Sequence, residues 1–268
     1  QSHAIQYHSP LYDIFAKQRN VDFKVWYCAD YGLEKSGKRY HPEFGELPNW
    51  DINLVNGHPH EILKNSALKK GIFNGFWGLM NWGIYKKLQS EKPDVLVIVG
   101  WNYFTLVWAL LCCKILKINV YVRGDNTLDI DYGLSVIKKL IKKVYYSYFF
   151  FPLYTKIGFV GKKNKEYFNY YSVNDKKLIH LPHSVNNDFF VKYYNDNIKN
   201  KDKIKIDLGL KSKFNLLFVG RLHEIKRVPD LFDALSRVIG DIELILVGGG
   251  ELESIINDKA KATGITSY

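Results

Sequence analysis

Two cations, Arg221 and Lys226, follow the apolar run Asn215-Leu216-Leu217-Phe218-Val219 and the single glycine Gly220. A second apolar run, Glu243 to Val247, ends in Gly248-Gly249-Gly250 and leads to Glu251 and Glu253. A guanidinium and an ammonium group set just past a strand suit an anion with several oxygens, because both make charge-assisted hydrogen bonds. Glycine lets the chain turn sharply and lets a ligand approach the backbone. Helices starting at Pro229 and Leu252 would add the positive ends of their backbones. These residue types in this order point to a diphosphate. An ordinary strand-to-helix turn with a surface Arg and Lys would show the same residues.

The elements that must position them read strand, turn, helix, strand, turn, helix. The sequence predicts strands over 215–219 and 243–247, a helix over 229–239, and a last helix over 252–262 that ends at Gly264. Open α/β sheets take their ligands at the carboxyl ends of their strands, which is where Arg221 and Lys226 fall.

Phe218-Val219-Gly220-Arg221-Leu222, then Lys226, a helix and Leu246-Val247-Gly248-x-Gly250, resembles the retaining nucleotide-sugar glycosyltransferases of family 4. The resemblance implies the GT-B fold: α/β, two Rossmann-like domains with doubly wound parallel sheets and the active site between them. It implies that Arg221 and Lys226, which match two family positions, hold the donor's diphosphate. It places Gly220, Gly248, Gly249, Gly250 and Glu251 at the donor. It implies transfer of a sugar to an acceptor hydroxyl with retention, the leaving phosphate oxygen taking the acceptor's proton. No metal and no cofactor is expected, the nucleotide sugar being a co-substrate.

The first domain shows further likenesses. His3-Ala4-Ile5-Gln6-Tyr7 is similar to the loop after the family's first strand and marks Gln6 as a substrate contact. The strand 119–122 leads to Arg123-Gly124-Asp125-Asn126, where a family subgroup carries Arg-Gly-Glu/Asp. Arg123 would bind a phosphate or a sugar acid and Asp125 would accept from sugar hydroxyls, with Asn126 a further substrate contact. A plain Gly-Asp turn is the alternative. Pro182-His183-Ser184-Val185-Asn186 resembles the family's cleft-lining segment and adds His183. Phe44-Gly45 and Trp50-Asp51 resemble a segment hanging over the acceptor. Three regions follow: 1–190, an acceptor-side domain lacking its first strand; 191–213, a linker with a short helix over 198–208; and 214–268, part of a nucleotide-sugar domain. Family members continue through further βα units that carry a glutamate pair and the contacts to base and sugar. The sequence is therefore expected to be a fragment, inactive alone, of a protein that begins upstream.

Composition sets bounds. The 268 residues carry a net charge of +11 and are 47% hydrophobic, values of a globular protein with an anionic partner. The three cysteines, Cys28, Cys112 and Cys113, make a poor disulfide framework and read as reduced thiols in a cytoplasmic protein. Val95 to Cys113 is uncharged, but Gly100-Trp101-Asn102 breaks it into strand, turn and helix. His58-Pro59-His60 and Asp129-Ile130-Asp131 each invite a metal reading. The first reads better as loop histidines, the second as acids capping a helix.

Helices are expected over 11–18, 66–90, 103–116, 134–151 and 162–171, and strands over 21–28, 94–99, 157–160 and 178–181. In 134–151, Leu134, Ile137, Leu140, Ile141, Val144, Tyr145 and Tyr148 form one stripe, with Lys138, Lys139, Lys142 and Lys143 opposite. The plain reading is a core-packed helix with a solvated basic face. The functional one is docking on an anionic membrane, which suits a lipid-linked acceptor and the inner face of the membrane. The whole reads as a glycosyltransferase of cell-surface polysaccharide or glycolipid synthesis. Its partners would be a nucleotide sugar and a glycan or lipid-linked acceptor, without nucleic acid. The alternatives are a non-catalytic basic binder of membranes or nucleic acid and, more remotely, a dinucleotide oxidoreductase, for which no full Gly-x-Gly-x-x-Gly is present.

Overall fold

The computed structural model describes residues 1–33, 40–41, 45–46 and 52–263. Phe44, Trp50, Asp51 and Gly264 lie outside the described residues. Two compact units form, one from most of residues 1–186 and one beginning at Asn187.

In the first unit, helix α1 (Ser9–Ala16) precedes strand β1 (Val25–Tyr27). The short strands β2 (Tyr40–His41) and β3 (Gly45–Glu46) pair with each other. Strand β4 (His60–Ile62) runs parallel to β1. Helix α2 (Ile84–Glu91) leads to β5 (Val95–Val99), α3 (Phe104–Leu116), β6 (Asn119–Arg123), α4 (Val136–Val144), β7 (Lys156–Phe159), α5 (Lys162–Tyr170) and β8 (Leu178–His180). Strands β5, β6, β7 and β8 lie side by side in that order and all run parallel.

Alternation drives the central strand. Val120 and Val122 of β6 are buried, with Asn119 exposed and Tyr121 between the extremes. Helix α3, which takes up the second half of the uncharged stretch Val95 to Cys113, covers the core with Leu106, Ala109, Leu110, Cys112 and Cys113. Among the described residues no helix is long and apolar enough to cross a membrane. All three cysteines are free and buried, and burial pushes the Cys112 thiol up to about 11 and Cys113 to about 12.

The second unit contains α6 (Asn187–Asn197), α7 (Lys201–Asp207), β9 (Phe214–Val219), α8 (Pro229–Leu235), β10 (Ile242–Val247) and α9 (Glu253–Thr263). Strands β9 and β10 pair in parallel, Phe214 against Ile242 through Val219 against Val247. Leu222, Val228, Phe232, Leu244 and Ile256 form its core. Beneath them Glu243 is buried and accepts hydrogen bonds from the backbone N–H groups of Lys211 and Ser212 and from Asn215 Nδ2. The α/β class with parallel sheets is thus the one expected.

Several expectations need correction. The predicted helix over 66–90 exists only from Ile84. Upstream, Gly71 N–H donates to Gly78 O, and Gly71 and Gly75 take positive φ, so the glycines close a turn instead of a helix. The strand over 21–28 shortens to β1, and β4, masked by its polar residues, was not anticipated. The short helix over 198–208 is present as a 3-10 turn, Ile198–Asn200, running into α7, and α6 before it was not expected. His58 lies in the loop before β4, as read, but it is buried, its Nδ1 2.7 Å from Asp13 Oδ1 and its Nε2 2.9 Å from the Tyr27 hydroxyl, while His60 opens β4.

Helix α4 departs most. It buries none of its residues, so the core-packed reading fails. Its N-cap is Ser135, which accepts from Lys138 N–H, not Asp129 or Asp131. Asp131 is instead a buried anchor. It accepts from Lys142 Nζ at 2.5 Å and from the Tyr171 hydroxyl at 2.6 Å. Burial alone would raise its carboxyl, but these two hydrogen bonds and the charges of Lys142 and Lys139 hold it below the usual carboxylate range. With a depressed folded-state pKa, the contribution to stability is complete above the unfolded value and is lost as pH falls through the folded one. Asp131→Asn is therefore expected to cost about 1–3 kcal/mol at neutral pH. The gap between variant and wild type should close in acid below about pH 4, as followed by urea melts across pH.

Candidate functional site

In the second unit the site is built from two turns at the same end of a parallel pair. Beyond β9 the chain passes Gly220, Arg221 and Leu222; beyond β10 it passes Gly248 to Gly250. Backbone bonds tie the turns together: Gly220 N–H donates to Val247 O, Leu222 N–H to Gly249 O, and Leu252 N–H to Leu222 O. Leu222 is buried in the small core, which fixes its neighbour Arg221, itself half-buried, at the strand end. Lys226 is exposed in a 3-10 turn, Glu224–Lys226, just before Pro229 opens α8. Both cations therefore belong to the connection leaving the carboxyl end of β9, and neither is buried.

Glu251 faces His223, with Oε1 3.5 Å from Nε2, while His223 Nδ1 accepts from Ile225 N–H. His223 was not anticipated, although its place between Arg221 and Lys226 could have drawn attention. The close fit of the turns explains their glycines. A Cβ at Gly248 would lie 1.9 Å from Gly220 O, and one at Gly250 2.5 Å from Leu222 O, whereas Gly249 meets nothing within 4 Å.

In the first unit a second cluster gathers at the carboxyl ends of β6 and β8. Arg123 Nε donates to Leu181 O at 3.0 Å, and a terminal guanidinium nitrogen lies 3.0 Å from His183 Nδ1. A guanidinium only donates, so Nδ1 accepts and Nε2 carries the ring proton, 4.0 Å from Asp125 Oδ2. Gly124 is required here because a Cβ would meet the Trp101 ring at 2.5 Å. Asn126 contributes its carbonyl to Asn164 Nδ2. Gln6 is half-buried in the turn leading to α1.

The sequence reading missed His8. Burial first, then the Arg123 and His183 charges, lower its pKa to about 4, and its Nδ1 is buried without a partner. The structure thus brings Arg123, Asp125 and His183 together and adds His8. Asn126 joins through its backbone. The arrangement is a fixed cation flanked by a carboxylate and two imidazoles, suited to binding oxygen-rich groups. Among the described residues, no group of three or more His, Cys, Asp or Glu could hold a metal ion.

Solved structures share this architecture. Anabaena HepE in complex with UDP matches with a TM-score of 0.64 at 13% identity, over 98% of this chain and 65% of its own. The same protein with UDP-glucose gives 0.59 at 14% identity, over 100% and 66%. The lipopolysaccharide outer core galactosyltransferase WaaB in its apo form gives 0.53 at 12% identity, over 98% and 62%. The chain has the fold of these proteins. It spans 62%, 65% and 66% of the lengths of WaaB and the two HepE structures. No family model and no curated protein matches it.

Proposed function

We propose that the chain belongs to a nucleotide-sugar-dependent glycosyltransferase of the family 4 type, transferring a hexose with retention to an acceptor hydroxyl. The observation that carries the reading is the pair of cations, Arg221 and Lys226, leaving one strand end beside a glycine turn open at Gly249. When a sugar leaves a nucleoside diphosphate, negative charge grows on the diphosphate. Cations and backbone N–H groups already aimed there stabilise that charge most in the transition state, without a metal. Gly220, Gly248, Gly249, Gly250 and Glu251 complete the donor side. Arg123, Asp125, Asn126, His183 and Gln6 serve sugar or acceptor. The acceptor is a glycan or lipid-linked glycan of cell-surface polysaccharide or glycolipid synthesis, met in the cytoplasm at the inner face of the membrane. Support comes from the shared fold with a galactosyltransferase and with a protein solved with UDP and UDP-glucose.

The test is a thermal-shift screen with UDP, GDP and ADP. At least one should raise the melting temperature of the wild type and leave an Arg221→Ala, Lys226→Ala double variant unchanged. Wild type indifferent to all three, or a shift that persists in the variant, overturns the reading.

A further inference from the structure

Helix α4 presents a solvated apolar stripe. Val136 is 81% exposed, Ile137 71%, Leu140 62%, Ile141 64%, Val144 43% and Tyr148 72%. At 100° per residue the five α4 members fall within an arc of about 140°, some two-fifths of the helix circumference. Lys138 falls beyond one border of that arc, and Lys139 and Lys143 beyond the other. Lys142 points the opposite way, into the Asp131 and Tyr171 anchor. The helix is thus held to the unit by its polar side, with its apolar side turned out, the reverse of an ordinary surface helix.

The wider turn that follows preserves this orientation. Tyr145–Phe150 is π-helical, an uncommon form that often marks functional places. It brings Tyr148 and Phe149 to the solvent, while Phe150 is buried and Tyr146 packs on Trp101.

We infer that this face, Val136 to Phe149, docks on an anionic phospholipid bilayer, lying in the interface with its apolar side chains among the acyl chains and its bordering lysines at the headgroups. Charge selects this occupant. From Tyr132 to Phe151 the chain has no acidic residue, and the whole carries +11. A second copy on the same face would set lysine borders against lysine borders with no acid between them. Lysines beside an apolar stripe, with tyrosine and phenylalanine at one end, match an anionic interface on both counts. The inference rests on the membrane location included in the proposed reaction, but its test is separate from nucleotide binding.

The experiment is co-sedimentation of the chain with vesicles of phosphatidylcholine alone and of phosphatidylcholine mixed with phosphatidylglycerol. Wild type should bind the mixed vesicles, less at high salt, and ignore phosphatidylcholine. Ile137→Glu with Ile141→Glu should weaken binding by at least tenfold, and Lys138→Gln by about fivefold, with the circular dichroism and any nucleotide-induced thermal shift unchanged. Three results would overturn the inference. One is wild type that fails to sediment with mixed vesicles. Another is equal binding to both vesicle types, or binding unaffected by the substitutions. The third is a concentration-dependent dimer, abolished by the double variant, in a protein that ignores vesicles. Retained nucleotide shifts in any of these cases leave the transfer reading standing.

Discussion

Alanine at position 221 is expected to weaken binding of whichever nucleoside diphosphate stabilises the wild type by roughly tenfold to a hundredfold, the equivalent of one or two hydrogen bonds to a charged group. Arg221 carries the larger share of the pair for two reasons. Its planar fork can meet two phosphate oxygens at once, whereas the Lys226 ammonium acts as a point charge. Its backbone is also locked, since Gly220 and Leu222 on either side are bonded to Val247 and Gly249. Lys226 is exposed on a 3-10 turn and must be ordered when it binds, so Lys226→Ala should lose less. Arg221→Lys should fall between wild type and Arg221→Ala, because it keeps the charge and loses the fork. Isothermal titration at moderate ionic strength measures all four proteins, and melting curves check that each is folded. Equal affinity in wild type and Arg221→Ala would mean that no diphosphate is held here.

What could be read in the sequence tracks the physical range of each signal. Strand ends marked by glycine and cations are local, so β9, β10 and the placing of Arg221 and Lys226 follow from a few neighbouring residues. The parallel order of β5 to β8 follows from strands alternating with helices. Long-range partners leave no local mark. Nothing near His58 announces Asp13 and Tyr27, and nothing near Glu243 announces the N–H groups of Lys211 and Ser212. Nor does His8 reveal that Arg123, more than a hundred positions on, will lie beside it. The helix over 134–151 is a different lesson. Periodicity finds an amphipathic helix but not which side faces the core. That was decided by one distant pair, Asp131 with Tyr171, capturing Lys142 on the polar side.

Gly248→Ala is expected to destabilise the second unit by on the order of 3–4 kcal/mol, from backbone strain together with a steric clash. At φ +148° a Cβ is disfavoured, and it would lie 1.9 Å from Gly220 O and 2.9 Å from the carbon of the same carbonyl. Neither atom belongs to a flexible side chain, so relief requires separating the turns after β9 and β10. That separation strains the Gly220 to Val247 and Leu222 to Gly249 bonds and pulls Leu222 from a core of five buried residues. A unit of this size has roughly 4–12 kcal/mol in hand, so the loss is a large part of it and should appear as an early phase in a urea melt. Gly249→Ala separates folding from binding. Its Cβ meets nothing within 4 Å, so the melt should match wild type. A diphosphate drawn against the backbone there would meet the added methyl, and affinity for the nucleoside diphosphate should fall. Normal stability with reduced affinity in Gly249→Ala, set against lost stability in Gly248→Ala, would assign one glycine to the turn and the next to the ligand. Unchanged affinity in Gly249→Ala would move the phosphates away from this turn.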